Sequence, residues 1–197
     1  ATISVESPGE AARILEIGCG TGRNLIAVAR RYPSARLFGL DISEAMLSTA
    51  RAKIAAAGLV DRIAVKQADA TRFAASTLFG MTAFDRVFFS YTLSMIPDWR
   101  AALGQGIAAC DGRVSMGDFG QFERLPPPFG RAMRAWLAKF DVTPRAELAA
   151  EVMSRDGNFE SLYRDYAWSG ELKGGGRLTD SVTYPLSALS SSSAVTG

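Results

Sequence analysis

The chain has 197 residues, 48% of them hydrophobic and 21% charged, with a net charge of +2. That is ordinary globular composition for one domain with a sizeable core, and it creates no field that argues for nucleic acid. Histidine is absent and the only cysteines are Cys19 and Cys110, which excludes Ser-His-Asp and Cys-His hydrolase mechanisms, a zinc ligand set and a disulfide framework.

Any proton transfer must therefore use a carboxylate, a tyrosine or water. No apolar run reaches the length of a bilayer span and no signal-peptide pattern opens the chain, so a reducing cytoplasm is the expected compartment.

Ala12 to Gly18 (ARILEIG) is short, apolar and ended by glycine, and predicts a buried strand. Asn24 to Tyr32 follows as a helix with Leu25, Ile26 and Ala29 on one face. Ala35 to Leu40 predicts a second strand, ending at Asp41. Ser43 is a good N-cap for the next helix, Glu44 suits its first turn, and Gly58 ends it. Arg62 to Ala68 is the third strand, and a short helix covers Arg72 to Phe79.

Phe84 to Ser90 (FDRVFFS) is apolar on both faces over Val87 to Phe89, as a central parallel strand is. Trp99 to Ala109 is a helix and Arg113 to Phe119 the fifth strand. Strands alternating with helices in this way imply right-handed crossovers and a parallel sheet. Further on, Phe129, Met133, Trp136, Leu137 and Phe140 make a helical stripe over Phe129 to Phe140, and Pro144 to Met153 reads as another helix. Asn158 to Lys173 reads as two short strands, an antiparallel hairpin at the sheet edge. The expected domain is 1–173, with 174–197 a flexible Gly/Ser-rich tail.

The most specific feature is Glu16-Ile-Gly18-Cys19-Gly20-Thr-Gly22, placed where the first strand turns into the first helix. Glycine there allows a tight turn and a ligand lying against the backbone. The G-x-G-x-x-G dinucleotide fingerprint fails, because its last position falls on Arg23 or Leu25, and no P-loop is present. What remains, E-x-G-x-G-x-G, resembles motif I of class I S-adenosylmethionine-dependent methyltransferases.

That resemblance implies a doubly wound, mostly parallel seven-stranded Rossmann-like sheet with an antiparallel edge hairpin, and S-adenosyl-L-methionine as cofactor. It implies cofactor contacts from Glu16, Gly18, Cys19, Gly20, Gly22, Asp41, Ile42, Met46, Asp69, Ala70 and Ser90. Asp41 would accept the ribose hydroxyls, and Asp69 would accept from the adenine amine while the Ala70 amide donates to the ring. Asp41 also suits a helix cap and Asp69 a solvated loop. Ser90 and Tyr91 stand where the family passes the methionine end of the cofactor toward the acceptor.

The Asn/Asp-Pro-Pro-Tyr motif of nucleic-acid amino-methyltransferases is replaced here by Ser90-Tyr91-Thr92-Leu93, so nucleic acid is disfavoured as the acceptor. The runs LEIGCGTGRNLIAVARRYPSARLFGLDIS, FDRVFFSYTLSMIPDW, DFGQFERLP and FGRAMRAWLAKFDVTPR together resemble the bacterial betaine-lipid N-methyltransferase, over roughly residues 12 to 170. That resemblance implies three methylations of the amino group of diacylglycerylhomoserine, giving diacylglyceryl-trimethylhomoserine. Family members carry a helical segment before motif I, whereas Gly18 comes almost at once here.

A lipid acceptor implies peripheral membrane contact, for which Arg131, Arg134 and Lys139 on the stripe helix are suited, although such a helix equally packs on a sheet. Tyr91 and Asp118 are the candidates to receive the amine proton, and Asp118 could equally be structural. Tyr91, Trp99, Phe119 and Trp168 could hold a quaternary ammonium through cation–π attraction, or be core. Rival readings are another small or lipophilic acceptor (a quinone precursor, phosphatidylethanolamine), a cofactor-binding module without turnover, and a nicotinamide-dependent reductase.

Overall fold

A computed structural model of the chain describes residues 12–122, 127–139, 142–162 and 166–175. Among the described residues seven strands form one sheet: β1 (Arg13–Ile17), β2 (Arg36–Asp41), β3 (Ile63–Gln67), β4 (Phe84–Ser90), β5 (Cys110–Phe119), β6 (Asn158–Leu162) and β7 (Ala167–Lys173). Their order is β3-β2-β1-β4-β5-β7-β6. The first five run parallel, and β7 pairs antiparallel with β5 on one side and β6 on the other. The doubly wound sheet and its antiparallel edge hairpin are thus as the sequence implies.

Side chains alternate between two apolar layers because successive strand residues face opposite ways. Leu15, Ile17, Phe38, Leu40, Val87 and Phe89 pack against α4 (Trp99–Ala108) and α6 (Leu148–Ser154). Ile14, Leu37 and Phe88 face the other way, onto α1 (Arg23–Arg31) and α2 (Glu44–Ala56) through Leu25, Ala29, Leu47, Ala50 and Ile54. The cap at Ser43 forms as expected, its hydroxyl accepting from the Met46 amide, and Gly58 takes φ +68° just past α2. Strand order reverses between β1 and β4, which makes the carboxyl ends of these strands the place where open α/β sheets bind ligands.

Several expectations shift. The Arg72–Phe79 helix contracts to α3 (Ala75–Phe79), because Asp69 to Arg72 is spent in a turn in which the Arg72 amide donates to the Asp69 carbonyl. β5 begins at Cys110 rather than Arg113, paired to Phe84 ahead of a register irregularity. α5 (Pro127–Ala138) starts on prolines, residues suited to a first helical turn.

α5 buries Leu137 and partly buries Met133 against Phe122, Val142, Phe119 and Tyr166, but leaves Trp136 51% exposed, outside the packed stripe. Phe140 lies outside the described residues, as do the side chains of Phe129 and Arg134. The helix expected from Pro144 begins only at Leu148, because the preceding segment runs along the end of the sheet: the Thr143 amide donates to the Ser94 carbonyl and Arg145 to that of Ile96.

Gly174 and Gly175, placed at the start of the expected tail, donate to Gly112 and Ile107; residues 176–197 lie outside the described residues. Among the described residues no helix is long and apolar enough to cross a membrane.

Candidate cofactor and acceptor site

The glycine-rich turn leaves β1 and is fastened to β2, with the Gly18 and Cys19 amides both donating to the Leu40 carbonyl (2.8 and 2.9 Å). Asp41, at the end of β2, accepts from the Gly20 amide (2.8 Å) with Oδ2 and from the Ser43 amide (2.9 Å) with Oδ1. One carboxylate thereby ties the first glycine loop to the cap of α2. Each of its oxygens has a second lone pair for a ligand hydroxyl.

The three glycines differ in what their missing Cβ spares. Beside Gly18 stands Thr92, and beside Gly22 stands Ala50, whereas a Cβ on Gly20 would meet nothing within 4 Å. Among the described residues, only Gly20 of the three has no neighbour at this distance. The Cys19 side chain is packed between Leu25 and Gly39 in the core, and burial pushes its thiol pKa up. Its contribution to the turn is its backbone.

Glu16, near the end of β1, is 1% exposed. Its Oε1 accepts from the Asn24 side chain (2.8 Å), while Oε2 is buried without a partner among the described residues. Desolvation pushes its pKa up to about 8; the Asn24 bond opposes the shift and Asp41 adds to it. A buried carboxylate oxygen without a donor is costly, so this position favours a ligand carrying a donor or a positive charge.

Past β3, Asp69 accepts from the Thr71 amide (2.9 Å) and hydroxyl (2.7 Å), bonds that hold its carboxyl below the ordinary range, and it faces the Arg72 guanidinium at 3.0 Å. Arg72 is 84% exposed, so that pair is weak and easily displaced. Ala70 is half-buried beside it. Ile42 and Met46, following Asp41, expose 70% and 47% of their surface. These apolar groups among acids suit a flat heterocycle and a ribose.

At the end of β4, Ser90 is half-buried and Tyr91 takes φ +54°, unusual for a bulky residue, with its amide donating to the Gly117 carbonyl (2.7 Å). The Tyr91 ring lies 4.8 Å from that of Phe119, which in turn meets Tyr166 at 6.2 Å. Asp118 is buried, its oxygens accepting from the Ser94 amide (2.8 Å), the Ser94 hydroxyl (2.6 Å) and the Phe119 amide (2.8 Å). Trp99 and Trp168 are 4% and 3% exposed, Trp168 stacked on Phe159, so neither faces an acceptor; both are core. Asn24, Thr92, Ser94 and Tyr166 enter the site region through contacts that no local pattern announces.

A family model of the methyltransferase domain matches residues 14–110. The chain is 34% identical over 136 residues to the trans-aconitate 2-methyltransferase of Methylobacterium radiotolerans, covering 66% of this chain but 46% of that protein. It is 26% identical over 184 residues to the demethylmenaquinone methyltransferase of Roseiflexus castenholzii, covering 86% of this chain and 73% of that one. The chain thus spans less than half the length of the first relative.

A solved methyltransferase from Aquifex aeolicus superposes with a TM-score of 0.62 at 16% identity, covering 84% of this chain and 83% of that one. Sheet order, glycine turn and matching sequence agree, and identify residues 14–110 as a methyltransferase domain of the class I type whose cofactor is S-adenosyl-L-methionine.

Proposed function

We propose that the chain transfers methyl groups from S-adenosyl-L-methionine to the amino group of diacylglycerylhomoserine, forming diacylglyceryl-trimethylhomoserine. The observation that carries the methyl-transfer reading is the convergence at the β1/β4 switch point of Gly20, Asp41 and the unpartnered Glu16 Oε2. The residues present fit the cofactor. Asp41 would hold the ribose, Ile42, Met46, Asp69 and Ala70 the adenine, and Gly18 to Gly22, Glu16 and Ser90 the methionine end.

When bound, the cofactor supplies an electrophilic methyl on a sulfonium, and the N–C bond forms as the S–C bond breaks. The protein supplies alignment and exclusion of water. Tyr91 is the side chain we assign to orient the amine, whose proton leaves to solvent. The acceptor rests on the four sequence runs and on the Tyr91, Phe119 and Tyr166 rings, which offer faces to an ammonium. Trp136, Arg131 and Lys139, exposed on and just past α5, would meet the anionic bilayer that presents such a lipid.

A second reading, a flat lipophilic quinone precursor, is favoured by the similarity to the demethylmenaquinone enzyme across most of the chain.

Labelled S-adenosylmethionine incubated with each candidate lipid in mixed micelles decides between them. Label in the homoserine lipid at least roughly tenfold above demethylmenaquinone, phosphatidylethanolamine and trans-aconitate is the expected result. Preferential label in demethylmenaquinone establishes the second reading instead.

A further inference from the structure

Burying a carboxylate is expensive unless its oxygens are saturated with donors. Buried Asp118 accepts from the amide and hydroxyl of Ser94, on a separate segment, and from the amide of its own neighbour Phe119. The last ladder pair between β4 and β5 is Ser90 with Gly117. Beyond it the chain turns sharply through Tyr91 into a 3₁₀ turn (Leu93–Met95), and a non-glycine residue in the left-handed region stays there only when its surroundings hold it. The Tyr91 amide bond to the Gly117 carbonyl is one part of that hold, and the Asp118 carboxylate adds another. It clasps Ser94, three residues after Tyr91, and the amide of Phe119, whose ring meets the Tyr91 ring at 4.8 Å.

Ser94 extends the clasp outward, because its carbonyl accepts from Thr143 (2.9 Å) in the segment that links α5 to α6. Both carboxylate oxygens are used as acceptors for N–H or O–H groups, so an asparagine would bring a donor against a donor. Burial raises the carboxyl's pKa, while the bonds from Ser94 and Phe119 oppose that rise.

We propose that Asp118, acting with Ser94, is a positioning residue for methyl transfer: it holds Tyr91 and the Thr143 segment in place around the acceptor and does not itself take the proton. The inference rests on the proposed methyl transfer and on Tyr91 as the group that orients the amine. It narrows the two roles open to Asp118 from the sequence to one.

The test compares wild type, Asp118→Asn and Ser94→Ala, the latter a milder change that removes one hydroxyl donor and leaves the carboxylate. S-adenosylmethionine affinity is expected to fall only about threefold in both, less than kcat does. Neither side chain reaches the glycine turn, and the loosened segment bears on the cofactor site only through Ser90 and Thr92. The rate constant kcat is expected to fall about 30-fold in Asp118→Asn and about tenfold in Ser94→Ala, from misplaced reacting groups. The acidic limb of kcat against pH is expected at the wild-type position in both variants.

Amide exchange over residues 90–96 and 142–145 is expected to quicken in both, whether or not an acceptor is turned over. Disappearance of the acidic limb in Asp118→Asn overturns the proposal, because Asp118 is then the proton acceptor. Unchanged kcat, or unchanged exchange, in Ser94→Ala overturns it as well. If wild type methylates no amine at all, the methyl-transfer reading fails; the exchange measurement then still decides whether Asp118 holds the turn.

Discussion

Replacing Glu16 by glutamine is expected to make the protein more stable in alkaline solution and a poorer binder of its cofactor. In the folded chain, desolvation holds the Glu16 carboxyl at about 8 against an ordinary value of 4.5. The native state therefore keeps a proton that the unfolded state releases. Below pH 4.5 both states are protonated and the group costs nothing through ionisation. From 4.5 to 8 stability falls with rising pH, and above 8 the whole penalty, about 5 kcal/mol, is present.

Glutamine does not titrate and still offers Asn24 an oxygen. Its amide would sit unpartnered in the Oε2 position, a cost of about 1–3 kcal/mol. The net expectation is a variant about 2–4 kcal/mol more stable at pH 9 and about 1–3 kcal/mol less stable at pH 4.5. Urea titrations of both proteins across that range check it, and parallel stability curves would refute it. Keeping a costly acid in the core makes sense where its free oxygen serves a ligand, the familiar trade of stability for function.

Gly18→Ala is expected to unfold the protein's first turn through a steric conflict with Thr92. A Cβ there would stand 2.2 Å from Thr92 Cγ2 and 2.7 Å from Oγ1, at a backbone φ of +75° that disfavours any side chain. Thr92 is buried, so the clash falls inside the packed structure. Overpacking and left-handed strain together set the loss at about 3–5 kcal/mol.

Thr92→Ala removes the two nearest atoms and gives up hydroxyl bonds to the Ser90 and Gly18 carbonyls, the second a long one at 3.4 Å. Thermal melts of the two single variants and the double should therefore be strongly non-additive, with Gly18→Ala costing at least about 1 kcal/mol less in the Thr92→Ala background. Additive losses would place the importance of Gly18 in its backbone conformation alone.

Much of the fold is legible because its strands carry their own signals. Phe84 to Ser90 appears with the bounds read from sequence, since apolar residues on both faces leave no other element that could bury them. Ser43 and Gly58 bracket α2 for purely local reasons, a cap bond and a left-handed residue. The misplacements have non-local causes. Cys110 belongs to β5 because Phe84 pairs with it, and the start of α6 is delayed by bonds to Ser94 and Ile96.

The site divides in the same way. The glycine spacing and the acids at strand ends are readable from the chain, whereas Thr92 against Gly18, Asn24 beneath Glu16 and Ser94 on Asp118 exist only once the strands are side by side. Trp99 and Trp168 show the converse: an aromatic residue announces its size but not which way it faces.

The most direct test of the cofactor site is a calorimetric titration of wild type, Asp41→Asn and Asp41→Ala with S-adenosylmethionine and with NADH. Asp41 joins the Gly20 and Ser43 amides and retains lone pairs for a ribose. Wild type is expected to bind S-adenosylmethionine and not NADH. The affinity should fall about tenfold or more in Asp41→Asn and about 100-fold in Asp41→Ala, from the loss of hydrogen bonds to a charged acceptor. Binding of NADH in place of S-adenosylmethionine, or equal affinity in all three proteins, would contradict a cofactor seated at the ends of β1 and β2.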